Sequence, residues 1–130
     1  KMKKLFSTHW KSSKQPRKQR KYIARAPLHI KHKFLGAHLS KELKHRYKIR
    51  SLPLKKDDEV IIKRGQFRGI RGKIEKVNLR KTRIYVKEAQ ITKLDGNKVY
   101  YPIHPSNLMI TELNLKDKQR ANILERSLKK

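Results

Sequence analysis

A cluster of three glycines inside a β-type segment is the feature that most constrains how this 130-residue chain folds. Gly65, Gly69 and Gly72 fall within eight residues, between the strand-like segments Val60–Lys63 and Gly72–Asn78. Glycine adopts positive φ without steric cost and lets another backbone approach closely. The spacing therefore predicts two strands joined by a tight loop that these three glycines form. Cations beside the glycines indicate that the loop meets a polyanion.

More short strands are predicted after this loop. The β-type segments are Arg83–Lys87, Ile91–Leu94, Lys98–Tyr101 and Met109–Leu113. Asp95-Gly96 is a strong hairpin signal between the second and third of them. Short strands at nearly regular spacing predict a mainly β fold, a small barrel whose closure removes free sheet edges.

Helices are predicted at both ends of the chain. Pro27 suits the first turn of one short helix, Ser40 suits the N-cap of a second, and Glu42 lies in the first turn of that second helix. Lys116–Arg126 is typical of a short terminal helix. The predicted organisation is a basic RNA-binding arm (1–25), a short helical segment (26–53), the barrel (54–113) and a C-terminal helix (114–130).

The charge of the chain is large and unevenly distributed. There are 37 Lys and Arg against 10 Asp and Glu, a formal net charge of +27. Residues 1–56 hold 19 of the cations and one acid, a net of +18, and residues 57–130 hold 18 cations and nine acids, a net of +9. A polyanionic partner relieves the self-repulsion of such a body. With no cysteine and no apolar run that could cross a bilayer, we expect a soluble, intracellular protein.

The N-terminal arm, Lys1–Arg25, is predicted to be disordered or extended when free and to order against its partner. Its aromatic residues Trp10 and Tyr22 either stack on bases or attach the arm to the body. A solvated tail or a localisation signal is the alternative interpretation. The cations that we expect to contact RNA are Lys14, Arg17, Lys18, Arg20, Lys21 and Arg25.

The glycine loop matches the KOW motif, in which a hairpin presents a basic, glycine-turned loop to RNA. It is neither a Walker A loop, which needs Gly-Lys-Ser/Thr, nor a dinucleotide fingerprint, which needs a following helix. A plain hairpin with solvated cations is the alternative. The candidate RNA contacts on and after the loop are Lys63, Arg64, Arg68, Arg71 and Lys73, then Arg80, Lys81 and Arg83 on the next turn.

Other functions find little support in the sequence. His29 and His32 are three residues apart, but they lack the cysteine or carboxylate companions of a zinc site, so no metal is expected. The acidic cluster Asp57–Glu59 is predicted to balance Lys55 and Lys56 in a solvated turn, because no nucleophile or base accompanies it. We expect no enzyme, cofactor, small-molecule substrate or membrane partner.

Several motifs together resemble one family over nearly the whole chain. The family is that of the KOW-domain ribosomal proteins of the large subunit, universal family twenty-four, whose eukaryotic members are called protein twenty-six. Besides the KOW loop, the motifs that carry the resemblance are Ser13–Lys21, Ala26–His29, Leu39–Leu43, Arg50–Pro53, Lys56–Val60 and Ile103–Asn107. All of these except Lys56–Val60 and the loop are typical of the archaeal and eukaryotic branch.

The resemblance implies an SH3-like barrel that binds the first domain of the large-subunit rRNA. It also implies neighbouring ribosomal proteins near the polypeptide exit tunnel, a role early in subunit assembly, and a cytoplasmic location in the large subunit, with nucleolar assembly if the source is eukaryotic. The KOW loop alone also fits a transcription elongation factor module that binds RNA or polymerase, which is the alternative function.

Overall fold

A six-stranded sheet forms the centre of the computed structural model, which describes residues 6–129. The first five residues of the predicted arm, and Lys130 of the predicted terminal segment, lie outside the described residues. The strands are β1 (Gly36–Leu39), β2 (Ser51–Pro53), β3 (Glu59–Ile62), β4 (Arg71–Asn78), β5 (Arg83–Val86), β6 (Gln90–Thr92), β7 (Lys98–Tyr100) and β8 (Leu108–Glu112).

The sheet runs in the order β2-β1-β8-β3-β4-β5, and β6 and β7 form a separate hairpin. β1 and β8 are parallel, whereas the other neighbours in the sheet are antiparallel. The predicted small, mainly β fold of KOW type with helices at both ends is confirmed. The predicted closure is not found in the part of the chain described, because β1 and β2 occupy the edge of β8 and no ladder joins β2 to β5.

The helices are α1 (Pro16–Arg25), α2 (Leu28–Lys31), α3 (Lys41–Tyr47) and α4 (Lys118–Leu128), and a 3₁₀ turn, His32–Leu35, continues α2. The helix starts predicted from Pro27 and Ser40 are confirmed, since each is an N-cap residue in the structure. Glu42 lies in the first turn of α3, where the helix dipole favours a negative charge.

Residues 26–53, predicted as a short helical segment, also contribute two strands. β1 buries Ala37 and Leu39, and β2 buries Leu52, so both complete the core beside β8. Each of these strands has only three or four residues, too few for a period of two to stand out in the sequence.

The expectation of a disordered or extended arm differs from the structure, in which residues 16–25 form the helix α1. Pro16 occupies the first helical position, which its fixed φ and missing N–H suit. Most of the remaining residues are Lys, Arg or Gln, which lose little rotamer freedom in a helix. No residue of α1 is fully buried, so its cations face solvent.

The core lies between the sheet and α4, and a buried ion pair fixes that helix. Arg120 and Asp58 are 3% and 0% exposed, and two guanidinium N–H groups donate to the two carboxylate oxygens at 2.6 Å each. Arg120 also donates to the carbonyl oxygens of Asn114 and Pro53, at 3.0 and 3.1 Å. Leu124, one turn further along α4, is buried in the same core.

The predicted solvated role of Asp57–Glu59 is therefore wrong for Asp58, which lies in the core instead of balancing neighbouring lysines. Asp58 accepts hydrogen bonds from the backbone N–H groups of Lys55 and Asn114 in addition to those from Arg120. Lys55 pairs through its side chain with Asp117, the N-cap of α4. That hydrogen bond, followed by one from the Gln119 N–H, lowers the pKa of Asp117.

Candidate nucleic-acid interface

The loop between β3 and β4 is held by short backbone hydrogen bonds at its base. The Gly69 N–H donates to the Ile62 carbonyl at 2.7 Å, and the Ile62 N–H donates to the Ile70 carbonyl at 2.9 Å. Gly65 and Gly69 adopt φ values of 100° and 89°, a region that side chains disfavour. Two of the three glycines thus provide the turns that the sequence predicts.

Gly72 has a different role, since it lies within β4 and its φ is not positive. A Cβ at this position would be 2.8 Å from the Glu88 Cγ and 3.0 Å from a Val86 methyl. Gly72 therefore permits the close approach of the chain that follows β5, while Gly65 and Gly69 shape the loop.

Gly69→Ala is expected to destabilise the protein by about 1–2 kcal/mol through backbone strain alone. A Cβ there would meet no atom within 4 Å, so no steric clash contributes. Gly36→Ala is the matched control, because Gly36 has a φ of −60° and its added Cβ would make only an ordinary contact at 3.7 Å. Urea denaturation measures both variants, and equal stability would contradict the role assigned to Gly69.

The five predicted RNA contacts around this loop are all exposed: Lys63, Arg64, Arg68, Arg71 and Lys73. Within residues 6–129, ion pairs join only Lys55 to Asp117, Lys87 to Glu75 and Arg120 to Asp58. None of the loop cations is thus neutralised by a described carboxylate. Their charge is available to an external anion.

The turn between β4 and β5 carries the next group of predicted contacts, Arg80, Lys81 and Arg83. The Asn78 side-chain oxygen accepts the Lys81 N–H at 3.2 Å. Thr82 adopts a φ of 54°, which is strained for a β-branched residue. Arg83 donates from one guanidinium nitrogen to the carbonyl oxygens of Thr82 and Lys81, at 2.9 and 3.2 Å, so its position is fixed.

The third group lies on α1 and the residue stretch before it, and comprises Lys14, Arg17, Lys18, Arg20, Lys21 and Arg25, all exposed. An aromatic cluster holds this helix. The Tyr22 ring lies 4.8 Å from that of Phe6, 5.1 Å from that of Trp10 and 6.2 Å from that of Phe34. Trp10 and Tyr22 stack on each other at 20°, and Phe34 links them to the body.

Of the two roles foreseen for Trp10 and Tyr22, the geometry therefore supports attachment of the arm. One face of each ring is already used in their mutual contact. Both side chains remain half-buried, and the cations Lys18, Lys21 and Arg25 line the same cavity of about 360 Å³. Base stacking by these rings stays a prediction.

Two contacts bring the three groups of cations into succession. Lys31, buried at the end of α2, directs its ammonium group toward the Arg80 carbonyl at 3.5 Å, which ties the α1–α2 region to the β4–β5 turn. Arg83 at the end of that turn lines one cleft together with Arg64 of the glycine loop. The sequence does not predict the role of Lys31, because nothing local distinguishes it from the other lysines.

The residues that could bind metal are dispersed. His29 and His32 are both exposed, and within residues 6–129 no group of three or more His, Cys, Asp or Glu side chains is placed to hold an ion. No helix in the described part of the chain is long and apolar enough to cross a membrane.

The fold and its unpaired cations define a basic, KOW-type β protein that presents positive charge from a glycine-turned loop, a strand turn and a helix. A family model that describes the ribosomal proteins called L26 in eukaryotes and L24 in archaea matches residues 13–127. A relative from Methanosphaera stadtmanae, "Large ribosomal subunit protein uL24", is 50% identical over 116 residues, which cover 89% of this chain and 99% of the relative.

The chain belongs to this family of large-subunit ribosomal proteins. The resemblance inferred from the sequence motifs is confirmed, and with it the assignment to the large ribosomal subunit. The matches extend well beyond the KOW loop to both ends of the chain, whereas the alternative of a transcription elongation module depends on the loop alone.

Proposed function

We propose that this protein is a structural component of the large ribosomal subunit that binds large-subunit rRNA through three groups of exposed cations. The observation that carries the proposal is the absence of internal neutralisation. None of the fourteen candidate side chains forms an ion pair with any carboxylate in the described part of the chain. So much uncompensated charge on one small fold fits a partner with closely spaced phosphates.

The three groups suit different parts of the binding. Arginine forks onto phosphates or stacks on bases, while lysine acts as a mobile point charge. Arg83 is held by two backbone carbonyls and offers a fixed donor set, whereas the cations of α1 are long side chains on an exposed helix. We infer that rigid loops read the shape of the RNA and that the helix adds affinity.

Family membership supports a more specific role. We propose that the partner is the first domain of the large-subunit rRNA, that the protein acts early in subunit assembly near the polypeptide exit tunnel, and that other ribosomal proteins lie beside it. The segments 1–25, 26–53, 54–113 and 114–130 are proposed as arm, connecting segment, KOW body and terminal helix. The site of action is the cytoplasmic ribosome, and no catalytic role is proposed.

Filter binding to a transcript of the large-subunit rRNA over a range of salt concentrations tests the proposal. About 6–10 phosphate contacts would lower the affinity by roughly 10³–10⁵ between 50 and 200 mM salt. Small-subunit rRNA of similar length is the control for non-specific attraction. A preference for the large-subunit transcript at the higher salt concentration supports the proposal, and equal affinity for both transcripts would refute it.

A further inference from the structure

A cleft of about 230 Å³ separates the glycine loop from the segment that follows β7. It is smaller than the roughly 300–1,000 Å³ sites that enclose drug-sized molecules, so it has room for a small planar group. No acidic residue lines it, and the basic side chains Arg64, Arg83 and His104 do. Its charge therefore favours an anionic ligand.

Two aromatic side chains form part of the wall. The rings of Phe67, from the loop, and Tyr101, after β7, lie 5.2 Å apart and are tilted by 54°. Both residues are half-buried and pack against the core, so their positions are fixed. Aromatic faces of this kind stack on nucleobases regardless of base identity.

Polar groups beside these rings can hydrogen-bond a base edge. The His104 Nδ1 accepts the Ser106 N–H at 3.2 Å, which leaves the proton of the neutral ring on Nε2. Burial, and then the charge of Arg83, lower the pKa of His104, so the ring is neutral near pH 7. The Asn107 side chain, also in the lining, offers both a donor and an acceptor.

The cleft is preformed on both sides. The Lys63 N–H donates to the Asn107 carbonyl at 2.7 Å, joining the glycine loop to the 3₁₀ turn at Pro105–Asn107. Ile103 exchanges two backbone hydrogen bonds with Ile84, at 2.8 and 2.9 Å. A binding site that is already rigid loses little conformational entropy when its ligand enters.

We propose that this cleft captures one unstacked nucleotide of RNA, with the base between the aromatic wall and the polar groups and its phosphate at Arg64 or Arg83. RNA-binding proteins commonly recognise splayed-out bases in loops and bulges in this way. The inference rests on the proposed function, since it assigns one nucleotide of the bound RNA to a defined site. It explains why aromatic residues lie among the cations of this surface.

Ultraviolet crosslinking of purified large subunits, followed by mass spectrometry of the protein, tests this site. We expect a crosslink from Tyr101 or Phe67 to one defined nucleotide. Tyr100, an exposed neighbour outside the cleft lining, is the internal reference. Crosslinks elsewhere on the chain without any at Tyr101 or Phe67 would overturn the inference and leave the proposed function standing.

Matched variants of the isolated chain give the second readout, with the rRNA transcript as the probe. Tyr101→Leu is expected to weaken binding about five-fold or more relative to Tyr100→Leu, the lower range for losing one stacked base. Gln66→Glu places a carboxylate at the exposed rim and should weaken binding more than Gln119→Glu, which changes the net charge equally on α4.

The second pair keeps the test valid if Tyr101→Leu does not fold, because Gln66 and Gln119 are both exposed. Equal affinities within each foldable pair would overturn the cleft inference, since the wild-type chain would still bind. Failure of the wild-type chain to bind the transcript at low salt would overturn both the proposed function and the inference.

Discussion

Replacing the six cations of the α1 region with glutamine is expected to lower affinity for large-subunit rRNA by on the order of 10²–10³ at moderate salt. The replaced residues are Lys14, Arg17, Lys18, Arg20, Lys21 and Arg25. Each lost phosphate contact reduces the slope of log affinity against log salt by about 0.7–0.9, so six lost contacts reduce it by about 4–5. Glutamine preserves helix propensity, so α1 should persist.

The control variant removes the same amount of charge outside the three groups. It replaces Lys93, Lys98, Lys116, Lys118, Arg126 and Lys129, all exposed, with glutamine. Filter binding of both variants over a range of salt concentrations provides the comparison. We expect the control to retain most of the slope. Identical losses in the two variants would show that only net charge matters and that the α1 region has no particular role.

Arg120→Met is expected to destabilise the protein by about 3–5 kcal/mol, because it leaves the Asp58 carboxylate buried without its charged partner. This is a large fraction of the roughly 5–15 kcal/mol that stabilises a typical domain. Urea denaturation in high salt, which screens the repulsion among the surface cations, measures the free energy of unfolding.

Arg126→Met is the matched control on the same helix, since Arg126 is exposed. A change of about 0.5 kcal/mol or less is expected there. If Arg120→Met were as mild as Arg126→Met, the buried pair could not be what fixes α4 to the body.

The sequence predicts the strands that depend on local signals. The glycine loop between β3 and β4, and Asp95-Gly96 between β6 and β7, mark hairpins whose two strands are close along the chain. β1 and β2 escape prediction because their pairing is not local. β1 pairs in parallel with β8, His38 opposite Met109, and short segments gain strand character only from such a partner.

Tertiary contacts also explain the two remaining differences. α1 is a helix fixed by Tyr22, which packs against Trp10 and Phe34, and composition alone does not show that contact. Asp58 belongs to an acidic run that resembles a solvated turn, yet its partner Arg120 lies at the other end of the chain. A pattern within one segment cannot reveal a partner so distant.

The candidate site divides along the same line. The cations of the arm, loop and turn are evident from the sequence because their density and the glycine spacing are local properties. The cleft is not evident, because Phe67 and Tyr101 are brought together only when the sheet forms. The fixed position of Arg83 depends on the strained backbone at Thr82, which the sequence gives no reason to expect.

Lysine acetylation of the chain, free and bound to protein-free large-subunit rRNA, is the most direct test of whether these cations meet RNA. We expect strong protection on binding of the candidate lysines Lys14, Lys18, Lys21, Lys63, Lys73 and Lys81. Lys118 and Lys129, on and just after α4, should react as they do in the free chain. Unchanged reactivity of the six lysines in a complex that demonstrably forms would contradict the interface described above.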